Sequence, residues 1–224
     1  MKKRKKNIAR ALWPLALLAV GEAHAAGGHH SVDDAEILEP GRCEQEDWFT
    51  WSPGGARLLH AGLNCRVGLV ELGIAGEHAH DGTSATAWNV EAKWAHKVID
   101  GFSVGLDVQP VRVVNQHPDL EFTRFVGLAT WEPREGLDFH LNLGRDLVRS
   151  GRDLARYGVG VDWSPAKAWT LTVERYKETE THFLRGGVRW EGGSWWKLDF
   201  SRAQSLGGPT RSTWSVGVTF VLGQ

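Results

Sequence analysis

From residue 66 onward the chain repeatedly places apolar side chains at every second position. Over 86–96, Trp88, Val90, Ala92 and Trp94 fall on one side of an extended backbone, and Asn89, Glu91 and Lys93 on the other. The same division sets Phe102, Val104, Leu106 and Val108 against Asp107 and Gln109, and Leu137, Phe139, Leu141 and Leu143 against Asp138, His140 and Asn142. Tyr157, Val159, Val161 and Trp163 oppose Gly158, Gly160 and Asp162, while Trp169, Leu171 and Val173 oppose Thr172 and Glu174. Leu184, Val188 and Trp190 then oppose Arg185 and Arg189, and Trp196, Leu198 and Phe200 oppose Lys197 and Asp199. A period of two is the signature of strands with two unlike faces. It predicts strands near 66–78, 86–97, 102–113, 121–131, 137–145, 156–163, 169–177, 183–191, 195–203 and 213–222. The fold class is all-β.

The charges Glu91, Lys93, Asp107, Asp138, Glu174, Arg185, Arg189, Lys197 and Asp199, with His140, therefore share one face. Alternation alone fits a soluble sandwich with its apolar face inward as well as a membrane barrel with its apolar face outward. The aromatic residues separate the two. Trp131, Trp163, Trp169, Trp190, Trp195, Trp196 and Trp214 gather at strand ends, where a barrel carries its interfacial girdle. The tight connections "IDG", "EPREG", "SPAKA" and "GGS" alternate with longer polar segments near 80–85, 114–120, 146–155 and 203–212, as the short periplasmic turns and longer outer loops of an outer-membrane barrel do. An antiparallel up-and-down transmembrane barrel is the expectation.

Residues 1–25 read as a signal peptide: a basic run, Lys2–Lys6 with Arg10, precedes the apolar run 11–20, and Ala23-His24-Ala25 offers the small-x-small cleavage pattern. The apolar run is too short for a membrane anchor, which needs roughly 20 residues. Export changes the charge balance, since loss of six Lys/Arg and one Glu leaves 20 basic against 26 acidic residues. Neither the whole chain nor its exported part has the basic surplus of a nucleic-acid binder. With 27 Gly and 12 Trp among 224 residues, composition also fits strands and tight turns better than helices. Export also makes a disulfide between Cys43 and Cys65 the expected state of the two cysteines, with free thiols or a metal pair as the alternatives.

The final strand, "STWSVGVTFVLGQ", places Trp214, Val216, Val218, Phe220 and Leu222 on one face and resembles the C-terminal signature of bacterial outer-membrane β-barrels. It departs from that signature by ending in Gly223-Gln224 and not on an aromatic residue. The segments "VDDAEILEPGRCEQEDW" and "NCRVGLVELGI" resemble the opening of an uncharacterised group of exported proteobacterial proteins. These resemblances imply an outer-membrane location, with outer-membrane lipid and the barrel-assembly machinery as partners. The second also implies that Cys43 and Cys65 bracket a first hairpin, Glu44–Trp51 running up and Arg57–Asn64 running back. Ten strands and this hairpin make a twelve-stranded barrel over 43–224; ten strands with a periplasmic hairpin is the alternative. Both counts are even, as single-chain bacterial barrels require. Residues 26–42 lack periodicity and are read as a flexible, extended periplasmic arm or as a plug in the barrel mouth.

Candidate chemistry is sparse. His29 and His30 beside Asp33 and Asp34 could hold Cu(II) or Ni(II) if cleavage exposed Gly-Gly-His at the terminus, against a plain polar tail. His78, His80 and Asp81 form a minimal ligand set near an outer loop. No cofactor is otherwise implied. A lipid-modifying enzyme would need a serine nucleophile with a histidine base. No such local motif occurs, and only a three-dimensional pairing of His140 with Ser201 or Ser215 would supply it. Two readings lead: a barrel whose charged face lines a narrow passage for ions or small solutes, and one whose near-balanced charges pair across strands, close the lumen and leave a structural or surface role. Twelve strands lie between the side-chain-filled barrels of about 8 strands and the open channels of 16–18, which favours the second. A soluble periplasmic sandwich or metal-binding protein is the remaining alternative. Nothing in the sequence sets the oligomeric state.

Overall fold

The computed structural model describes residues 30–117 and 119–223. Its strands are β1 (Cys43–Trp51), β2 (Arg57–Val67), β3 (Val70–Asp81), β4 (Thr83–Ile99), β5 (Phe102–Val113) and β6 (Leu120–Arg134). They continue as β7 (Leu137–Val148), β8 (Leu154–Ala166), β9 (Trp169–Glu178), β10 (Thr181–Gly193), β11 (Trp196–Gly207) and β12 (Thr213–Leu222). Every neighbouring pair is antiparallel, and β1 pairs with β12 as well as with β2, so the sheet closes on itself as a barrel with no free edge.

The first hairpin belongs to the wall, which excludes the alternative of ten strands with a separate hairpin. The strands are also longer than the alternation suggests. β3 and β4 run to Asp81 and from Thr83, so the expected outer loop near 80–85 shrinks to a hairpin turning on Gly82 at φ 76°. Gly101 at φ 74° turns the chain between β4 and β5, and a Cβ there would lie 2.5 Å from the Glu132 carbonyl oxygen.

The two faces follow the alternation. Leu141, Leu143, Val159, Leu171, Val173 and Phe200 lie exposed on the outside, while Glu91, Asp107, Arg185, Glu174 and Asp199 are buried inside. A soluble sandwich would bury the first set, so the outer solvent of this barrel is lipid. Trp131, Trp163, Trp169, Trp190, Trp195 and Trp196 lie at the end that carries the short turns, the start of β1 and the end of β12. There Trp169 stacks on Trp190 at 6.2 Å, Trp190 meets Trp196 edge-on at 5.2 Å, and Trp195 stacks on Phe220 at 6.2 Å. Trp214 differs from the expectation. It opens β12 at the opposite, long-loop end, where it pairs in register with Trp51 and stacks on Phe200. The barrel thus has aromatic residues at both ends of its apolar band, as two water–lipid boundaries require.

Cys43 and Cys65 are directly opposed in the β1–β2 ladder and form a disulfide with a Cα–Cα distance of 4.0 Å. The bond closes a loop of sequence separation 22, for which chain entropy gives about 3 kcal/mol. Replacing both cysteines by serine is expected to lower the temperature at which the barrel loses its fast gel mobility in SDS; an unchanged transition would show that the closed sheet alone holds the hairpin.

Candidate functional site

Inside the barrel the inward positions carry charge in connected groups. In the outer half, Arg124 donates to Asp146 at 3.2 Å and to the Gln109 side-chain carbonyl at 2.7 Å, and Arg156 donates to Asp146 at 3.4 Å and to Glu178 at 2.7 Å. Beside this group lies an apolar cluster of Leu58, Ala79, Ala87, Val111 and Val113 with Phe122 packed against it. His60 shares a hydrogen bond with Glu77 at 3.1 Å and stacks on Trp48 at 3.5 Å. Nearer the short-turn end, Arg189 donates to Asp199 at 2.8 Å and Lys197 to Glu44 at 3.1 Å. Arg185 reaches Glu174 at 3.5 Å and lies over the Tyr176 ring at 5.2 Å.

Residues 30–38 do not form a free arm. They run through the lumen and bind several strands at once, because an unpaired backbone inside a barrel needs partners for its N–H groups. Glu174 on β9 accepts hydrogen bonds from the Ser31 and Val32 amides at 3.1 and 2.9 Å. Thr130 on β6 accepts from the Ala35 amide at 2.8 Å, and Glu71 on β3 from the Leu38 amide at 2.9 Å. Lys93 on β4 grips Asp33 at 3.0 Å and Asp34 at 2.9 Å. His30 sits between Glu174 at 3.9 Å and Asp199 at 3.7 Å.

The wall is shaped for this segment. A Cβ on Gly158 would stand 2.6 Å from a Val32 methyl, one on Gly160 3.2 Å from the other Val32 methyl, and one on Gly187 3.0 Å from His30 Cε1. These inward positions are vacant of side chain where the segment lies. Val32 in turn joins Tyr176, Phe183 and Ala203 in an apolar cluster on the lumen wall.

Below the segment, a cavity of about 280 Å³ opens at the short-turn end, and its lining includes Asp34, Glu36, Glu44, Glu46, Glu71 and Glu91 together with Lys93 and Lys197. Acidic groups dominate it, in contrast to the near-balance expected of the lumen as a whole.

Burial disfavours a charged imidazole at His30, but Asp199 and Glu174 outweigh it and push the pKa from the ordinary 6.5 up to about 9. Burial also pushes the Asp33 carboxyl up, against the pull of Lys93. A group whose pKa rises on docking stabilises the docked state fully below its free value and loses that contribution as pH climbs through the raised value. Docking of residues 30–38 should therefore weaken as pH rises from about 6.5 through about 9. Hydrogen-exchange protection of the Ser31 and Val32 amides measures this: it should fall across that interval in the native chain, and His30→Gln should remove the His30 part of the dependence. A pH-independent protection factor would refute the linkage.

The remaining sequence candidates fall as follows. Glu91 accepts from Gln109 at 3.4 Å, Asp107 is buried opposite Lys93 in the β4–β5 ladder, and Asp138 is half-buried opposite Asp162. His140 shares a hydrogen bond with Thr130 at 3.0 Å and lies 3.8 Å from Asp162. Ser215 shares a bond with Thr50 at 2.7 Å, and Ser201 lies on β11, separated in the sheet order from His140 on β7 by β8, β9 and β10. His78 and His80 are at the outer end of β3, not in a loop, and bond Thr86 and Ser84 across the hairpin at 3.0 Å. Residues 1–25 and His29 lie outside the described residues, and among the described residues no cluster of His, Cys, Asp or Glu is arranged to hold a metal. His30 stands in the lumen between two carboxylates and not on a polar tail.

Arg124, Asp146, Arg156 and Glu178 were not anticipated, although the parity of β8 and β9 that places Gly158 and Glu174 inward also places Arg156 and Glu178 there. The glycine seat had no sequence signal that separated it from ordinary strand glycines.

A model of the family described as Uncharacterised conserved protein UCP029691 matches residues 14–222. No curated protein matches the sequence. Among solved structures, the KdgM porin is similar with a TM-score of 0.62 at 15% identity, covering 79% of this chain and 98% of that one. A KdgM porin in complex with disordered oligogalacturonate gives 0.58 at 14% identity with the same coverage. The NanC porin gives 0.56 at 12% identity, covering 80% of this chain and 98% of that one. At such identities the likeness establishes the fold. With an apolar exterior on that fold, the chain is a twelve-stranded β-barrel of the outer membrane.

Proposed function

We propose that this chain, which belongs to that uncharacterised family, is a narrow solute passage of the outer membrane gated by its own residues 30–38. The observation that carries the reading is the fit between segment and wall: Gly158, Gly160 and Gly187 leave room for Val32 and His30, and Lys93 and Glu174 clamp the segment from opposite sides. A wall that served only as scaffold would fill those positions with side chains of its own. The solute class follows from the mouth. Its carboxylates attract cations and repel anions, so small cationic or neutral solutes suit it. One porin of the same fold has been captured with oligogalacturonate, a polyanion; the acidic mouth argues for a different cargo here.

Planar-bilayer conductance of the exported chain, of a deletion of residues 26–38 and of Gly158→Leu tests the reading. The intact chain should conduct weakly, and both variants should open steps several times larger with cation preference. Equal conductance in all three would overturn the gate. A second reading, a closed structural barrel, is favoured by the apolar cluster around Val111 and Phe122 in the outer half of the lumen. It predicts that the deletion variant folds, shows its mobility shift on boiling, and still does not conduct.

A further inference from the structure

The lipid-facing surface of the outer half carries charge that the lumen does not use. Arg145 on β7, Arg175 on β9 and Arg202 on β11 are exposed on the outside of the barrel. Their cross-strand neighbours also face lipid: Phe125 for Arg145, Val159 and Leu184 for Arg175, and Trp214 for Arg202. The Arg202 guanidinium lies 5.0 Å over the Trp214 ring, so it stands at the aromatic boundary of the long-loop end. Arg175 donates to the Phe183 carbonyl at 3.0 Å.

None of the three has a carboxylate within ion-pair distance among the described residues, although other cations of this rim do. Arg112 is paired with Asp119 at 2.7 Å and Lys177 with Glu180 at 3.2 Å. An arginine on the lipid face costs about 2–4 kcal/mol at the midplane and about 0–1 near the boundary. Arg202 donates to the Gln204 side-chain carbonyl at 3.0 Å, so the three arginines have neutral partners at most, and anionic groups of the membrane at this boundary would complete them.

The surface between them is shaped as well as charged. Alternate strands lie roughly 10 Å apart. Arg202 is directly opposite Gly186, an outward position on β10 with nothing within 4 Å of where a side chain would begin. A slot floored by backbone thus runs between Arg175 and Arg202. Tyr157 stands exposed on β8 between Arg145 and Arg175 and offers a hydroxyl at the same boundary.

We propose that Arg145, Arg175 and Arg202, with Tyr157, form a docking face for the phosphorylated head of the outer-leaflet glycolipid, lipopolysaccharide. The guanidiniums take its phosphates bidentately and the slot at Gly186 admits the sugar between them. The inference is independent of whether the lumen conducts.

Native mass spectrometry of the full exported chain in mild detergent, titrated with purified diphosphoryl lipid A, dephosphorylated lipid A and phosphatidylglycerol, tests it. Diphosphoryl lipid A should bind well above the other two. Replacing all three arginines by glutamine should weaken it by about fivefold per residue, roughly a hundredfold together, while Arg112→Gln, whose partner is Asp119, should change it little. Equal binding of phosphorylated and dephosphorylated lipid A, or of phosphatidylglycerol, would overturn the proposal. So would a triple variant that retains full affinity. The lipid comparison on the unmodified chain decides the matter even if the triple variant does not fold.

Discussion

Arg185→Ala is expected to cost the barrel about 3–5 kcal/mol, the range for breaking a buried ion pair from one side. Arg185 has no exposed surface, lies 3.5 Å from Glu174 and covers the Tyr176 ring. Its removal takes a cation from beside Glu174, which also anchors the Ser31 and Val32 amides, so the wall and the docked segment are weakened together. Urea unfolding of the refolded barrel in detergent, read by loss of the fast-migrating band, measures the change. Arg185→Lys should recover part of it, since the charge returns without the planar fork that lies over Tyr176. A midpoint equal to that of the native chain would mean that Glu174 is satisfied without Arg185, and the pairing account of the lumen would fail.

Lys93→Ala should have its largest effect on the docking of residues 30–38. Lys93 lies opposite Glu71 on one side and Asp107 on the other, holds Asp33 and Asp34, and has Glu91 two positions away on its own strand face. Without the ammonium, the two aspartates of the segment face those wall carboxylates with no intervening cation. Loss of a buried partner of this kind is worth about 3–5 kcal/mol, which is about two to three and a half orders of magnitude in the docking equilibrium at about 1.4 kcal/mol per tenfold. The expected observation is exposure of residues 30–38: limited proteolysis should trim the chain up to the disulfide-fixed Cys43, and conductance should rise. Lys93→Arg should stay protected. A Lys93→Ala chain that resists trimming as well as the native one would show that the segment docks without Lys93.

The wall was legible in the sequence because lipid and lumen impose opposite demands on successive residues, and each strand records them. The same rule assigned Glu174 and Asp199 inward. It failed where the inward face is itself apolar, at Val111, Val113 and Phe122, because their outward neighbours Arg112 and Thr123 are polar and the alternation there is inverted. It also failed at Trp214, because a tryptophan marks a membrane boundary without saying which one. The lumen segment was harder still. Residues 30–38 lack periodicity because they bond to five different side chains, Glu71, Lys93, Thr130, Glu174 and Asp199, and not to a neighbouring ladder, and that pairing of Asp33 with Lys93 or Val32 with Gly158 exists only once the barrel is closed. Composition alone describes such a segment as a tail.

The disulfide has a consequence in time. Cys43 and Cys65 lie in adjacent strands joined by a single outer turn, so their oxidation needs only the hairpin and none of the barrel. A slip of β1 by one residue against β2 would turn Trp48 out toward lipid and Phe49 into the lumen while His60 and Leu59 kept their faces. Once oxidised in the periplasm, the hairpin cannot make that slip. The pairing of the strand that must later accept β12 is thus decided on the soluble chain, before there is a membrane to correct it.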